Sequence, residues 1–419
     1  MSISMLPTHD RQALLDWYAA NRRRSRQLFD LVAPEAYLAQ PIPLRHPIVF
    51  YEGHLPAFSY ITLVRRALGG EPLDTTFEAL FQRGIDPASV EEAERAQPQA
   101  WPERARVQEL GARWDAAIVE ALSAAPLERV AQAAYTLLEH EQMHHETLLY
   151  ILHRLPVEQL RKPPGYEPRL ERRHPPRKNV EIPTGRATLG ADRESVAFGW
   201  DNEFDACREK VPAFAIDAHS VTNGDYLEFV EQGAKPAPFW VRGADGWMLR
   251  TLFEEIPVPR SWPVYVTHAQ ARAYAAWTGG RLPTEAEFHR AAYGTPDGDE
   301  RPQPWGDAPL DHTRGTFDFE RWDPTPAGSH PAGASAWGVH DLVGNGWEWT
   351  ATAFGPLPGF TPMATYPQYS ADFFDGEHFV VKGASPVTAR QLIRRSFRNW
   401  YRGDYPYVYA KFRCVRRAP

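Results

Sequence analysis

Residues 127–155 carry an apolar stripe in steps of three and four: Ala133, Leu137, His140, His144, Leu148, Ile151 and Leu155. A stripe of this period and length is the buried face of a bundle helix, so this part of the chain has to fold against other helices. Two histidines one turn apart interrupt it. Buried imidazoles need partners, and a shared metal ion supplies both at once. The alternative is that the seam runs through Met143 and the histidines face water. Because Glu141 follows His140, the stretch also reads formally as H-E-x-x-H, the spacing of zinc proteases.

At 419 residues the chain exceeds one typical core, and two or three domains are expected. Composition shifts near residue 160. The first part is rich in Ala, Leu, Arg and Glu, and its spacing predicts helices over 9–32, 54–69, 101–124 and 127–155, four segments of bundle length. Phe50, His54, Phe58, Ile61 and Arg65 stand at helical spacing, so His54 also falls on an apolar face. Its imidazole is a candidate third partner for His140 and His144. Residues 156–182 hold Pro163, Pro164, Pro168, Pro175 and Pro176 among many charges, which opposes regular structure. From about Glu181 short apolar pieces alternate with Gly, Pro, Asn and Asp. Thr267 to Thr278 reads as a helix, with Thr267 as N-cap and Gly279-Gly280 as stop, and a short helix is expected after Pro283. The expected class is α+β: a helical domain over 1–160, a linker over 161–182 and a loop-rich mixed domain over 183–419.

A net charge of -7 provides no positive field for a nucleic-acid backbone. No run of 18 apolar residues marks a membrane span, and Met1 to Arg11 lacks the pattern of a secretory signal. Cys207 and Cys414 are the only cysteines, which rules out a disulfide scaffold or a Cys-rich zinc site. They are expected to be reduced thiols of a cytoplasmic protein.

Long segments carry a family resemblance. Gly279-Gly280-Arg281-Leu282-Pro283-Thr284-Glu285-Ala286-Glu287, Pro304-Trp305-Gly306, the run from Trp337 to Trp349, Val381-Lys382-Gly383-Ala384-Ser385 and Phe412-Arg413-Cys414-Val415-Arg416 stand in the family order. With them the second part resembles the formylglycine-generating-enzyme-like fold, a C-type-lectin-like mixed domain. The first part resembles DinB-like four-helix bundles. Together they look like the non-haem iron sulfoxide synthases of ergothioneine and ovothiol biosynthesis, over nearly the whole chain. The resemblance implies Fe(II), with O2 as co-substrate. The family's H-x-x-x-H pair falls on His140 and His144 and its first ligand on His54, the three residues that the apolar faces single out. Imidazoles without a carboxylate suit Fe(II) and leave positions for dioxygen and substrate. His46, before a proline, and His145, about 100° round the helix from His144, are set aside as ligands.

The implied substrate is hercynine. The family's Arg-Asn-Trp/Phe segment falls on Arg398-Asn399-Trp400-Tyr401. Asn399 is expected to meet the charged end of the amino acid. Trp400 and Tyr401 are expected to line a wall that attracts a trimethylammonium head by cation–π contact. Met143 occupies the position where many members carry Gln for the substrate imidazole. The loop from Tyr366 to Gly376 resembles the segment near the family's catalytic tyrosine, which makes Tyr366 or Tyr369 the expected proton donor. Catalytic thiols of formylglycine-generating enzymes have no counterpart, and Cys414 reads as a core residue of the closing strand.

Departures from the family bear on the donor. Thr75 to Phe81 lacks the tyrosines that ergothioneine synthases often carry there, and Met143 replaces Gln. The combination looks like the selenoneine synthase branch, whose members join selenium from a selenosugar to C2 of hercynine. The alternative is a thiol donor, cysteine or γ-glutamylcysteine, forming a C–S bond. Two readings of other classes stand beside these: a non-catalytic lectin-like binding module, and a zinc hydrolase with Glu141 as base. No nucleic-acid or membrane partner is expected, and the expected state is a monomer or weak homodimer.

Overall fold

Helices α1 (Arg11–Asp30), α2 (Ile48–Tyr60), α3 (Thr75–Phe81), α4 (Val90–Arg95), α5 (Arg104–Ala124) and α6 (Leu127–Leu152) follow one another in the first unit of the computed structural model. That unit is Met1–Tyr166, and Glu167–Pro419 forms the second. The structure describes residues 10–82, 84, 90–95, 97–170 and 175–418. Helices α1 and α2 each pack on α5 and α6, which gives the expected four-helix bundle. Asp10 caps α1 by accepting from the Gln12 N–H, and Asp74 caps α3 by accepting from the Phe77 N–H.

Three features differ from the sequence expectation. Helix α2 begins at Ile48, with Pro47 at its N-cap, and not at His54. Gly53 lies inside the helix. A Cβ there would stand 2.6 Å from the Phe81 ring, so the glycine allows α3 to pack closely on α2. Beyond Tyr60 the same helix widens into a π-helix, Ile61–Ala67. Helix α3 was not expected, although Asp74 followed by Glu78 is a start signal. Finally, α6 is buried beyond its predicted stripe, at Leu138, Glu139, Glu141, Gln142, His145 and Glu146 as well. Such burial marks the central helix of a bundle.

The second unit opens with β1 (Asn179–Ile182), β2 (Gly185–Leu189), β3 (Cys207–Val211) and β4 (Phe214–Asp217). Helix α7 (Asn223–Glu231) leads to β5 (Trp240–Arg242), β6 (Trp247–Arg250) and β7 (Glu255–Pro257), then α8 (His268–Trp277) and α9 (Glu285–Tyr293). The chain closes with β8 (Gly346–Ala353), β9 (His378–Ala384), β10 (Asn399–Arg402), β11 (Ala410–Lys411) and β12 (Val415–Arg417). The sheets run β1-β4-β12, β2-β3, β5-β6-β7 and β10-β9-β8-β11. Strand β1 takes the last residues of the stretch read as crossover, and β4 lies between it and β12, paired antiparallel with both.

Thr267 and Thr284 build capping boxes with Gln270 and Glu287, so α8 and α9 start as expected. The same device, Thr222 with Asp225, starts α7, which the sequence reading missed. Phe214, Ile216, Phe288, Val339, Leu342 and Val415 belong to the core between β4, α9 and β12. Cys414 is buried, and burial pushes its thiol up to about 12; both cysteines are free. Among the described residues no helix is long and apolar enough to cross a membrane.

Candidate metal centre

Two helices bring three imidazoles together. His54 projects from α2, and His140 and His144 from successive turns of α6. One ligand atom from each lies within 4.8 Å of the others. Their ring centroids stand 5.2 Å (His54–His140), 5.0 Å (His54–His144) and 4.5 Å (His140–His144) apart. His54 Nδ1 lies 2.6 Å from the Phe81 carbonyl and donates to it, which leaves Nε2 for the cluster. Phe50 stacks on His54 with centroids 4.9 Å apart, and Phe58 lies flat on His140 at 3.5 Å and 13°. These apolar neighbours fix the ring planes.

Burial pushes His54 down to about 4, and His140 and His144 well below the usual imidazole range, each also opposed by its neighbouring histidines. All three are therefore neutral, the form that ligates a metal. His144 Nδ1 is buried with no hydrogen-bond partner among the described residues. Three atoms 4.8 Å apart stand about 2.8 Å from their common centre and a metal–nitrogen bond is about 2.1 Å, so the triplet closes round an ion with a shift of about 0.7 Å or less at each ligand. The donor set fits a first-row divalent ion.

Neighbouring candidates sort cleanly. His46 stacks on the far side of Phe50 at 3.9 Å. His145 turns toward α1, where its Nε2 lies 2.9 Å from Ser25 Oγ. Glu141 corrects the hydrolase reading. It is fully buried, ion-paired with Arg22 at 2.7 Å and accepting from Ser25 Oγ at 2.5 Å. A general base has to reach a metal-bound water, and this carboxylate is held against α1 instead.

In the second unit, β10 carries Asn399, Trp400 and Tyr401 opposite Val381, Val380 and Phe379 of β9. Side chains alternate along a strand, so Trp400 and Tyr401 point to opposite faces and do not form one wall as expected. Trp400 stacks on Phe354 at 4.2 Å and 7°, with Tyr369 edge-on at 5.2 Å and Phe373 at 5.5 Å. On the other face, Tyr401 lies near Trp349 and Tyr405, and its hydroxyl accepts from Asn399 Nδ2 at 3.1 Å. Arg398 is buried in an ion pair with Glu285 and donates to the Asn202 and Gly355 carbonyls. That bonding makes it an anchor of β10.

Tyr369 is buried flat against Trp200 at 3.9 Å, while Tyr366 is half-buried 5.9 Å from it. The next residue, Ser370, pins the loop by bonding Asp201 and Asn202. Met143 is half-buried beside His144 in the chain. Sequence reasoning missed Phe58, Phe81, Phe354 and Trp200. Phe58 stands at a stripe position, but a stripe does not say which ring it covers.

Residues 167–418 match the family described as sulfatase-modifying factor enzyme 1-like domain, and residues 18–148 match the DinB superfamily. Among similar proteins, hercynine oxygenase of Mycolicibacterium thermoresistibile is 33% identical over 95% of this chain and 92% of its own length. Hercynine oxygenase of Mycobacterium tuberculosis is also 33% identical, over 96% of this chain and 97% of its own. Ergothioneine biosynthesis protein 1 of Schizosaccharomyces pombe is 29% identical over 90% of this chain and 52% of its own length.

Proposed function

The chain belongs to the hercynine oxygenase family, and on that premise we propose that it is an iron(II)- and O2-dependent enzyme that joins a chalcogen to imidazole C2 of hercynine. The observation that carries this reading is the convergence of His54, His140 and His144. Iron held by these residues would supply the activation of dioxygen. For a donor R–XH the balance is R–XH + H–C2 + O2 → R–X(O)–C2 + H2O, where X is sulfur or selenium. The C2–H and X–H bonds are lost, one oxygen ends on X and the other in water.

The chain's own residues bind and orient. Trp400, backed by Phe354, offers an aromatic face for the trimethylammonium group, while Asn399 stands on the opposite face of β10, where its amide donates to Tyr401. Arg398, tied to Glu285, holds their strand. Tyr369 is the preferred proton donor, because Trp200 and Ser370 fix its position, with Tyr366 as second candidate.

For the donor we propose a selenosugar. Phe77 and Phe81 stand in a region where tyrosines are expected, and Met143 replaces a Gln. A thiol donor is the competing reading, favoured by the similarity to ergothioneine biosynthesis protein 1. The test is an anaerobically Fe(II)-loaded enzyme given hercynine and, separately, a selenosugar such as 1-seleno-glucose, cysteine and γ-glutamylcysteine. Oxygen uptake and product mass are followed. The expected result is turnover with the selenosugar. Turnover with thiols alone reassigns the donor, and no uptake with any donor overturns the enzyme reading.

A further inference from the structure

The carboxylate of the H-E-x-x-H stretch is left without a role by the proposed reaction. It belongs to a buried polar set on the face of α6 that meets α1. On α1, Tyr18, Asn21, Arg22 and Ser25 recur at helical spacing and are all buried. Asn21 Nδ2 donates to the Leu138 carbonyl at 2.9 Å. Arg22 donates to Glu141 at 2.7 Å and pairs with Asp115 of α5 at 3.0 Å, and Asp115 also accepts from Tyr18. Ser25 Oγ donates to Glu141 at 2.5 Å and lies 2.9 Å from His145 Nε2.

Leu138, Glu141 and His145 form one stripe of α6, and His140 and His144 the adjacent one. The two stripes share a rigid backbone, so what holds one sets the angle of the other. Apolar packing is weakly directional, whereas these hydrogen bonds are met at one rotation of the helix only. Leverage makes this matter: a donor about 6 Å from the helix axis moves about 1 Å for a rotation of about 10°. A shift of that size is enough to spoil a ligand set.

We infer that Arg22, Ser25 and Glu141 are positioning residues of the metal centre, a buried polar clamp that sets the rotation of α6 and so aims His140 and His144 at His54. The inference rests on the metal-centre reading above. It predicts that the clamp contributes to metal affinity and ligand geometry more than to the stability of the bundle. Replacing a buried ion pair by apolar residues of similar volume is often neutral or stabilising, so the two contributions can be separated.

The test uses the full chain, metal-free, titrated with Co(II) alone and followed by its visible absorption and by competition with a chelator. Wild type comes first: absence of Co(II) binding there sinks the metal-centre reading itself. The variants are R22M/E141L and, as a minimal deletion of one oxygen, S25A. The expected result is metal-free melting at or near the wild-type temperature, Co(II) affinity lower by about tenfold or more, and an altered absorption spectrum. Leu28→Ala on the same helix α1 is the control: it lowers melting and leaves the spectrum unchanged. If R22M/E141L does not fold, S25A decides. A folded variant with wild-type affinity and spectrum overturns the inference.

Discussion

The imidazole of His54 and the carbonyl of Phe81 meet at 2.6 Å, across a spot where Gly53 leaves no room for a side chain. The end of α3 thereby sets both the tautomer and the ring angle of a ligand carried by α2. A methyl group at position 53 has to displace the Phe81 ring. G53A is expected to lose metal affinity by about tenfold and stability by about 1–3 kcal/mol. Chelator competition and urea unfolding measure the two. At Gly111 of α5 a Cβ meets only Pro56, at an ordinary 3.5 Å, so G111A should be neutral or stabilising. Wild-type affinity in G53A would show that Phe81 does not position His54.

Metal content tests the ligand set directly. Wild type reconstituted with Fe(II) should retain about one ion per chain. H54A, H140A and H144A should each lose it while the bundle stays folded by circular dichroism, because two imidazoles hold an ion far more weakly than three. H46A is the control, since His46 is packed behind Phe50. Retention of iron in all three ligand variants would move the centre elsewhere.

Trp400 separates a cation–π site from ordinary packing. W400L keeps burial against Phe354 and removes the ring. Hercynine affinity should fall about tenfold, roughly 1.4 kcal/mol, while histidine, which lacks the methyl groups, changes little. Tyr401 lies on the opposite face of β10, so Y401A should leave that discrimination intact. Equal losses for both ligands in W400L would make the ring structural.

Glu285 and Arg398 are both buried and neutralise each other. E285A strands the guanidinium and should destabilise the second unit by about 3–5 kcal/mol. E285A/R398M should recover much of that loss, read as the denaturant midpoint. A mild E285A phenotype would mean that the backbone carbonyls alone satisfy Arg398.

Acid sensitivity follows from His268, which donates Nε2–H to the Thr350 carbonyl at 3.1 Å and stacks on Phe379. Burial pushes its imidazole down to about 4 from 6.5, so between these values the unfolded chain binds the proton and the folded one does not. Stability therefore rises with pH across that window and is lost as pH falls from about 6.5 toward 4, by an amount on the order of 3 kcal/mol. H268Q should flatten this part of the stability–pH curve by about one proton. An unchanged slope would place the acid sensitivity in other buried histidines.

What the sequence by itself determined are features that one element can encode alone. The spacing of His140 and His144 puts them on one face of α6, Thr267 caps α8, and α9 follows Pro283. His54 could be named because its own helix has an apolar face. Where that helix begins could not, because the place of Gly53 inside it rests on the close packing of Phe81, a contact that no local signal encodes. Glu141 shows the same divide. Its neighbours in sequence suggest a catalytic base, but Arg22 and Ser25, over a hundred residues away, hold it against α1. The period of a helix fixes which residues share a face, whereas which faces meet depends on non-local packing and on buried charges finding partners. Those partners come from other helices and strands, and only the tertiary structure brings them together.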